Sequence, residues 1–369
     1  YDSMITVFRN VRELPYPTMV HVLTRKGRGH KEAEADSLQF YSMPGRRKGP
    51  PVSKAPDFNQ VFGKVAIELA KADDQVCCIT AAMEVGTGLT EYAQLFPDRY
   101  YDVGLAEEHA VTFAGGLAVQ GLRPVVAIYS TFLQRAFDQI MHDIALQNLP
   151  VIFCLDRSGL VGPDGPTHHG VFDLAIMRTI PGVVVCAPKD GNELRNLMFS
   201  AKEYNRPVII RYPKDTSLEF APKRKAETIP LGRWERLRDG ADAVILAVGS
   251  MVPVALQAAS LLEAEHDLDA TVVNARFVKP LDEILLRELA LPGMPLVTVE
   301  EGLLAGGFGS AVRESLAAAQ LPNAVISMGI GDEFTEHATR AELLEMVGLT
   351  PEQVAAQVLG VLESAGETG

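Results

Sequence analysis

Short apolar runs recur along the chain, separated by longer segments in which apolar positions fall three and four residues apart. Val76–Thr80, Val125–Ser130, Val151–Asp156, Val183–Ala187 and Val208–Arg211 are apolar almost throughout, as expected of strands covered on both faces. Helical spacing over Ala110–Gly121, Arg135–Gln147 and Asn192–Tyr204 connects them. The alternation resumes after about Ala241. There the predicted strands are Ala243–Val248, Thr271–Asn274, Leu296–Val299 and Ala324–Met328, with helices Val252–Ala264, Asp282–Leu289, Gly309–Ala319 and a terminal amphipathic helix Pro351–Ser364. Strands alternating with helices predict parallel sheets, so the expected fold class is α/β, with two consecutive open, mostly parallel sheet domains flanked by helices.

The segments between these patterns set the expected organisation. Residues 42–56 contain four prolines, two glycines and four Lys or Arg, a linker composition. Residues 57–215 form the first α/β domain, the charged stretch 216–240 reads as a second linker, and 241–369 form the second domain. Residues 1–41 offer one helix, a short strand at Val20–Thr24 and the basic turn Arg25-Lys26-Gly27-Arg28-Gly29. That is too little to bury a core, so the expectation is the remnant of a further domain.

Composition narrows the class. A net charge of −13 argues against a nucleic-acid partner, because phosphates would be repelled. No apolar run reaches the ~20 residues that span a bilayer, and Tyr1-Asp2-Ser3 does not read as a signal peptide. The four cysteines sit inside apolar runs and form no CxxC pair, so they read as buried reduced thiols. A soluble cytoplasmic protein is expected.

Three constellations carry candidate chemistry. In Tyr101-Asp102-Val103-Gly104-Leu105-Ala106-Glu107-Glu108-His109, two glutamates open a helix. They read either as solvated residues favoured by the helix dipole or, because the helix continues through Val111, Phe113, Ala114 and Leu117, as at least partly desolvated. Tyr129, Phe132 and Arg135 follow a strand end, where α/β sheets bind ligands. Their spacing suits either core packing or a stacking surface beside a guanidinium. The loop 156–170 (DRSGLVGPDGPTHHG) has four glycines and two prolines and follows another strand. Its Arg157, Asp164, His168 and His169 are either solvated loop residues or an acid/base and anion-binding set. Adjacent histidines cannot easily chelate one metal, so no zinc site is expected. Arg211 is a further cation at a strand end. The glycines of Leu304-Ala305-Gly306-Gly307-Phe308-Gly309 lack a P-loop lysine and read as a tight strand-to-helix turn.

Together these segments resemble the 1-deoxy-D-xylulose 5-phosphate synthase family, within the transketolase-like thiamine enzymes. Residues 101–112 resemble its FDVAIAEQHAVT segment, and AIYSTFLQRAFDQ (127–139) and DRSGLVGPDGPTHHG (156–170) are specific to it. Phe277-Val278-Lys279-Pro280-Leu281-Asp282 and Val299-Glu300-Glu301-Gly302 fit as well. Departures include His169 in place of a glutamine, Tyr41 where a histidine is common, and Ala81-Ala82-Met83 for Pro-Ala-Met.

The resemblance implies pyrimidine-binding and C-terminal domains, thiamine diphosphate as cofactor, and Mg2+ held by a GDG…N motif that this sequence does not contain. It implies that pyruvate is decarboxylated and joined to D-glyceraldehyde 3-phosphate. Glu107 would bond the cofactor pyrimidine, with Phe132 stacked on it and Tyr129 and Met83 beside it. Arg157 and Arg211 would hold the substrate phosphate, while Tyr129, Arg135, Asp164 and His168 would surround the pyruvate-derived group, with His168 catalytic. A homodimer, and a separate chain bearing the diphosphate-binding domain, are the partners implied. The β subunit of a 2-oxo acid dehydrogenase E1, or a non-catalytic partner-binding half-enzyme, is the alternative.

Overall fold

The computed structural model describes residues 1–35, 55–221 and 225–366. Residues 42–54 of the expected linker 42–56, and Tyr41, lie outside them. Within residues 1–35, helices span Asp2–Arg12 and Lys31–Ala35. The first of them buries no residue. Val20–Thr24 is not a strand but irregular chain, since a lone five-residue run has no neighbour with which to share its backbone hydrogen bonds.

The remainder, from 55 onward, carries twelve strands: β1 Val76–Thr80, β2 Tyr100–Asp102, β3 Arg123–Tyr129, β4 Ile152–Asp156, β5 Val184–Cys186, β6 Val208–Arg211, β7 Glu235–Arg238, β8 Ala243–Ala247, β9 Ala270–Asn274, β10 Phe277–Lys279, β11 Leu296–Leu303 and β12 Val325–Ile330. They form a seven-stranded sheet in the order β10-β5-β6-β4-β3-β1-β2 and a five-stranded sheet in the order β12-β11-β8-β9-β7. All pairings are parallel except β10 with β5 and β7 with β9. Every residue of β1, β4 and β6 is buried, which explains why these strands read as unbroken apolar runs.

Four features depart from the sequence reading. First, β7 and the buried Trp234 lie within the stretch expected to be a linker. The alternation of Glu235-Arg236-Leu237-Arg238 hides an edge strand among charges. Second, β10 leaves the second domain and pairs with the short edge strand β5 of the first sheet. Third, the helix expected over Arg135–Gln147 is a series of short turns ending in a π-helical segment, Ile140–Ala145. Fourth, the helix Glu107–Val119, whose apolar residues predict burial on nearly every face, is buried on one side only, through Ala110, Val111, Ala114 and Ala118.

The helix Phe58–Ala72 lies over the first sheet, its start fixed by an Asp57 N–H to Gln60 Oε1 bond of 3.1 Å. The loops that follow β3, β4 and β6 emerge side by side, because those strands are adjacent and parallel. Among the described residues no helix is long and apolar enough to cross a membrane.

Candidate active site

Each candidate side chain enters from the carboxyl edge of the first sheet. Glu107 is the first residue of the helix Glu107–Val119, and its side chain is 5% exposed. Arg135 Nη1 lies 3.4 Å from Glu107 Oε1. The Arg135 guanidinium also sits 5.3 Å from the centre of the Phe132 ring.

Phe132 stacks on Tyr129 at 5.7 Å and meets His168 edge-on at 5.4 Å. Tyr129 ends β3. Its N–H donates to Met83 Sδ at 3.4 Å, and its hydroxyl fills the space beside Gly86. A Cβ on Gly86 would stand 1.7 Å from the Tyr129 oxygen, so only glycine admits the ring there. Burial pushes the Tyr129 phenol up, partly opposed by the Arg157 charge.

Arg157 follows β4 with φ of +59°, a left-handed conformation costly for a residue with a side chain. That backbone lays its guanidinium 3.9 Å from the centre of the Tyr129 ring and puts Nη1 2.7 Å from Asp164 Oδ2. Lys214, just beyond β6, reaches the same Asp164 oxygen at 2.6 Å. Burial pushes the Asp164 carboxyl up, but Lys214 and Arg157 outweigh it and hold the group below the usual carboxylate range. His168 accepts or donates at Nδ1 with Thr167 Oγ1, 2.9 Å away. Burial lowers its basicity, Asp164 opposes that, and the Arg157 and Lys214 charges reinforce it.

Glu107, Met83, Tyr129, Phe132, Arg135, Arg157, Asp164 and His168 are therefore joined by successive contacts into one cluster. Arg211 is not part of it. Its side chain is 4% exposed, with Nε donating to Asp173 Oδ2 at 2.9 Å and Nη2 to the Glu301 carbonyl at 2.9 Å. Asp173 also accepts from Ser130 Oγ at 3.0 Å. As the last residue of β6, Arg211 points inward and braces the floor beneath the loop, apart from the cluster that the expectation of a phosphate-holding arginine assigned it to. The cation that does reach the cluster is Lys214. The sequence reading passed over it, although a second cation three residues beyond a strand end was the available signal.

The acidic pair of the second sheet is structural. Glu300 accepts from Phe308 N–H and Gly309 N–H, each at 2.8 Å, at the start of the helix Phe308–Ala318. The glycine run is thus a strand-to-helix turn whose amides are taken by an internal carboxylate. Among the described residues, no group of three or more His, Cys, Asp or Glu could hold a metal ion. The four cysteines are free and buried.

Residues 54–217 match the model described as "Transketolase, pyrimidine binding domain", and residues 232–354 match "Transketolase, C-terminal domain". Over 370 aligned residues the chain is 48% identical to a protein of Thermomicrobium roseum named 1-deoxy-D-xylulose-5-phosphate synthase, covering all of this chain and 58% of that one. A Gloeobacter violaceus protein of the same name is 49% identical over 96% of this chain and 57% of its own length. The chain thus spans under three-fifths of the curated relatives it matches. A solved structure described as "Split gene transketolase, inactive beta4 tetramer" is 32% identical, with a TM-score of 0.74, over 84% of this chain and 99% of that one.

Proposed function

The chain belongs to the transketolase family, and from that premise we propose that it forms the pyrimidine-binding and C-terminal part of a 1-deoxy-D-xylulose-5-phosphate synthase. The reaction is the decarboxylating condensation of pyruvate with D-glyceraldehyde 3-phosphate. One observation carries the reading: the unbroken series of contacts from Glu107 through Phe132 to the Arg157–Asp164–Lys214 group. It sets a buried carboxylate and an aromatic face at one end and two cations at the other.

The near end suits thiamine diphosphate. Phe132 offers a half-buried ring, and Glu107 a carboxylate nine-tenths withdrawn from water. A flat heteroaromatic with a ring nitrogen able to share a proton fits both. Phe132, Glu107, Tyr129 and Met83 would hold the pyrimidine; the bound cofactor supplies a nucleophilic carbon and an electron sink for decarboxylation. Glu107 holds the proton shared with the pyrimidine nitrogen. Arg135, 3.4 Å away, orients that carboxylate.

The far end suits a phosphate. Arg157 is fixed by its stacking on Tyr129 and offers planar donors, and Lys214 adds a second positive charge. In this reading the phosphate anchors are Arg157 and Lys214. Edge contact with Phe132 and a basicity lowered by burial support a role for His168 in moving a proton between the reacting group and solvent. Asp164 keeps the two cations together while no substrate is bound.

Mg2+ is expected with the cofactor's diphosphate, on ligands outside residues 1–369. The split-gene relative supports the reading that a separate polypeptide can supply them. A cytoplasmic location accords with four buried free thiols, and a homodimer is the assembly proposed.

The test is to assay the chain alone and mixed with the diphosphate-binding domain of the Thermomicrobium relative. Product from pyruvate and D-glyceraldehyde 3-phosphate only in the mixture is the expected result. A folded mixture that binds thiamine diphosphate yet forms no product overturns the reading.

A further inference from the structure

The loop from Gly159 to Gly170 carries Asp164 and His168. Its base is closed by two backbone bonds, Gly159 N–H to the Gly170 carbonyl and Gly170 N–H to the Gly159 carbonyl, both 2.8 Å. Just above the base, two side chains hold the outgoing limb. Leu160 N–H donates to Glu301 Oε1 at 2.7 Å, and Val161 N–H donates to His169 Nδ1 at 3.1 Å.

His169 is 3% exposed, and its second ring nitrogen lies 3.2 Å from the Glu336 carbonyl oxygen. These partners fix the ring proton. A backbone N–H can only donate, so Nδ1 is bare. A carbonyl can only accept, so Nε2 carries the hydrogen. One neutral tautomer thereby ties the outgoing limb at Val161, the returning limb at 169, and residue 336 of the second domain.

The segment around 336 also lies against the loop directly. A Cβ on Gly165 would meet His337 Cβ at 3.2 Å, and one on Gly162 would meet the Ala338 carbonyl at 3.4 Å. Both glycines have positive φ, +77° and +71°, so the loop's path there depends on glycine.

We propose that His169 is a positioning residue: through its Nε2–H tautomer it locks the loop against the 331–339 segment and so sets the place of Asp164 and His168. The role of those two residues rests on the reading given under Proposed function; the locking itself does not. His169 touches none of the reacting atoms. What its ring supplies is one acceptor and one donor a fixed distance apart, which a glutamine amide also offers.

Three measurements on the full chain and its His169→Gln and His169→Leu variants test this. Nitrogen-15 NMR of the His169 ring should show an unprotonated Nδ1 and a protonated Nε2. Hydrogen exchange of amides 158–170 should accelerate roughly tenfold or more in His169→Leu, with β4 and β6 nearly unchanged, and stay within about threefold of the parent in His169→Gln. Inorganic phosphate, titrated calorimetrically, should bind roughly five- to tenfold more weakly to His169→Leu only.

A protonated Nδ1, unchanged loop exchange in His169→Leu, or equal disturbance in both variants would overturn the proposal. Should His169→Leu loosen the whole fold, the tautomer and the glutamine variant still decide. If the parent chain binds no phosphate, the assignment of Arg157 and Lys214 fails, while the exchange and tautomer results continue to judge His169.

Discussion

Lys214 Nζ stands 2.6 Å from Asp164 Oδ2, the oxygen that Arg157 also holds, at 2.7 Å. Two cations sharing one carboxylate oxygen leave about one unit of positive charge uncompensated. Both groups are only partly exposed, so that charge is screened less than on open surface. A substrate dianion arriving here would meet donors already gathered at one point.

The first prediction follows from this pairing. Arg157→Ala and Lys214→Ala should each weaken use of D-glyceraldehyde 3-phosphate by about ten- to a hundredfold, as for loss of one charge-assisted bond. An aldehyde acceptor without a phosphate is the control. The variants should handle it nearly as well as the parent. Equal losses on both acceptors would mean that the cations shape the site instead of reading the phosphate.

Arg211 should behave differently, in stability more than in substrate use. Its charge is buried against Asp173, with Ser130 on the same carboxylate. Removing one member of a buried pair strands the other, at a cost of roughly 3–5 kcal/mol. Arg211→Ala should therefore lower the urea midpoint markedly, and Asp173→Ala should do so by a similar amount. The double replacement Arg211→Met with Asp173→Leu should recover part of the loss. A midpoint unchanged in Arg211→Ala would disprove the bracing role.

Arg211 also shows where sequence reading stops. Both Arg211 and Lys214 are cations at the end of β6, and composition cannot say which one points outward. Strand parity and the inward carboxylate of Asp173 decide it, and Asp173 lies 38 residues away in the chain. The strands of both sheets were legible because burial on two faces makes them apolar throughout. Edge strands β7 and β10 were not, since a short strand with one neighbour can carry charges. The aromatic and acidic members of the candidate site stood out by their positions at the ends of strands or just beyond them, Glu107 after β2, Tyr129 and Phe132 at the end of β3 and Asp164 after β4. The role of His169 as a tether was hidden, because its partners Val161 and the Glu336 carbonyl are backbone groups that carry no sequence signal.

Glu107→Gln should retain the fold and lose most of the proton chemistry. The change preserves shape at a buried helix start, so the thermal midpoint should shift little. In the mixture with a diphosphate-binding domain, exchange of the cofactor's acidic C–H in deuterium oxide should slow by about 10²–10⁴-fold. Unaltered exchange would reject Glu107 and turn attention to Glu108, which is exposed on the next position of the helix.

The last prediction concerns Asp156, the residue that ends β4 just before Arg157. Its side chain is 2% exposed, and among the described residues neither its Oδ2 nor the nearby Tyr212 hydroxyl has a hydrogen-bond partner. Burial pushes the carboxyl up to about 7 from an ordinary 3.8, with Arg157 only partly opposing it. The folded state thus takes up this proton more readily than the unfolded chain does. Between about pH 4 and 7 the native protein holds more protons at this site, so its contribution falls as pH rises, by up to about 1.4 kcal/mol per unit. That contribution is fully present below 3.8 and gone above about 7. Glu300, raised to about 7 by burial, has the same sign, whereas His168, lowered by burial, has the opposite one. The parent's own pH profile therefore mixes these terms with those of other shifted carboxyls such as Asp190 and Glu193, and the difference between parent and Asp156→Asn isolates one. Asparagine cannot ionise, so the variant should gain on the parent steadily from pH 4 to 7 and then hold a constant lead. Urea unfolding at pH 5, 6, 7 and 8 would reveal this. Parallel profiles would mean that Asp156 stays ionised in the folded protein, stabilised by Arg157 more than burial destabilises it.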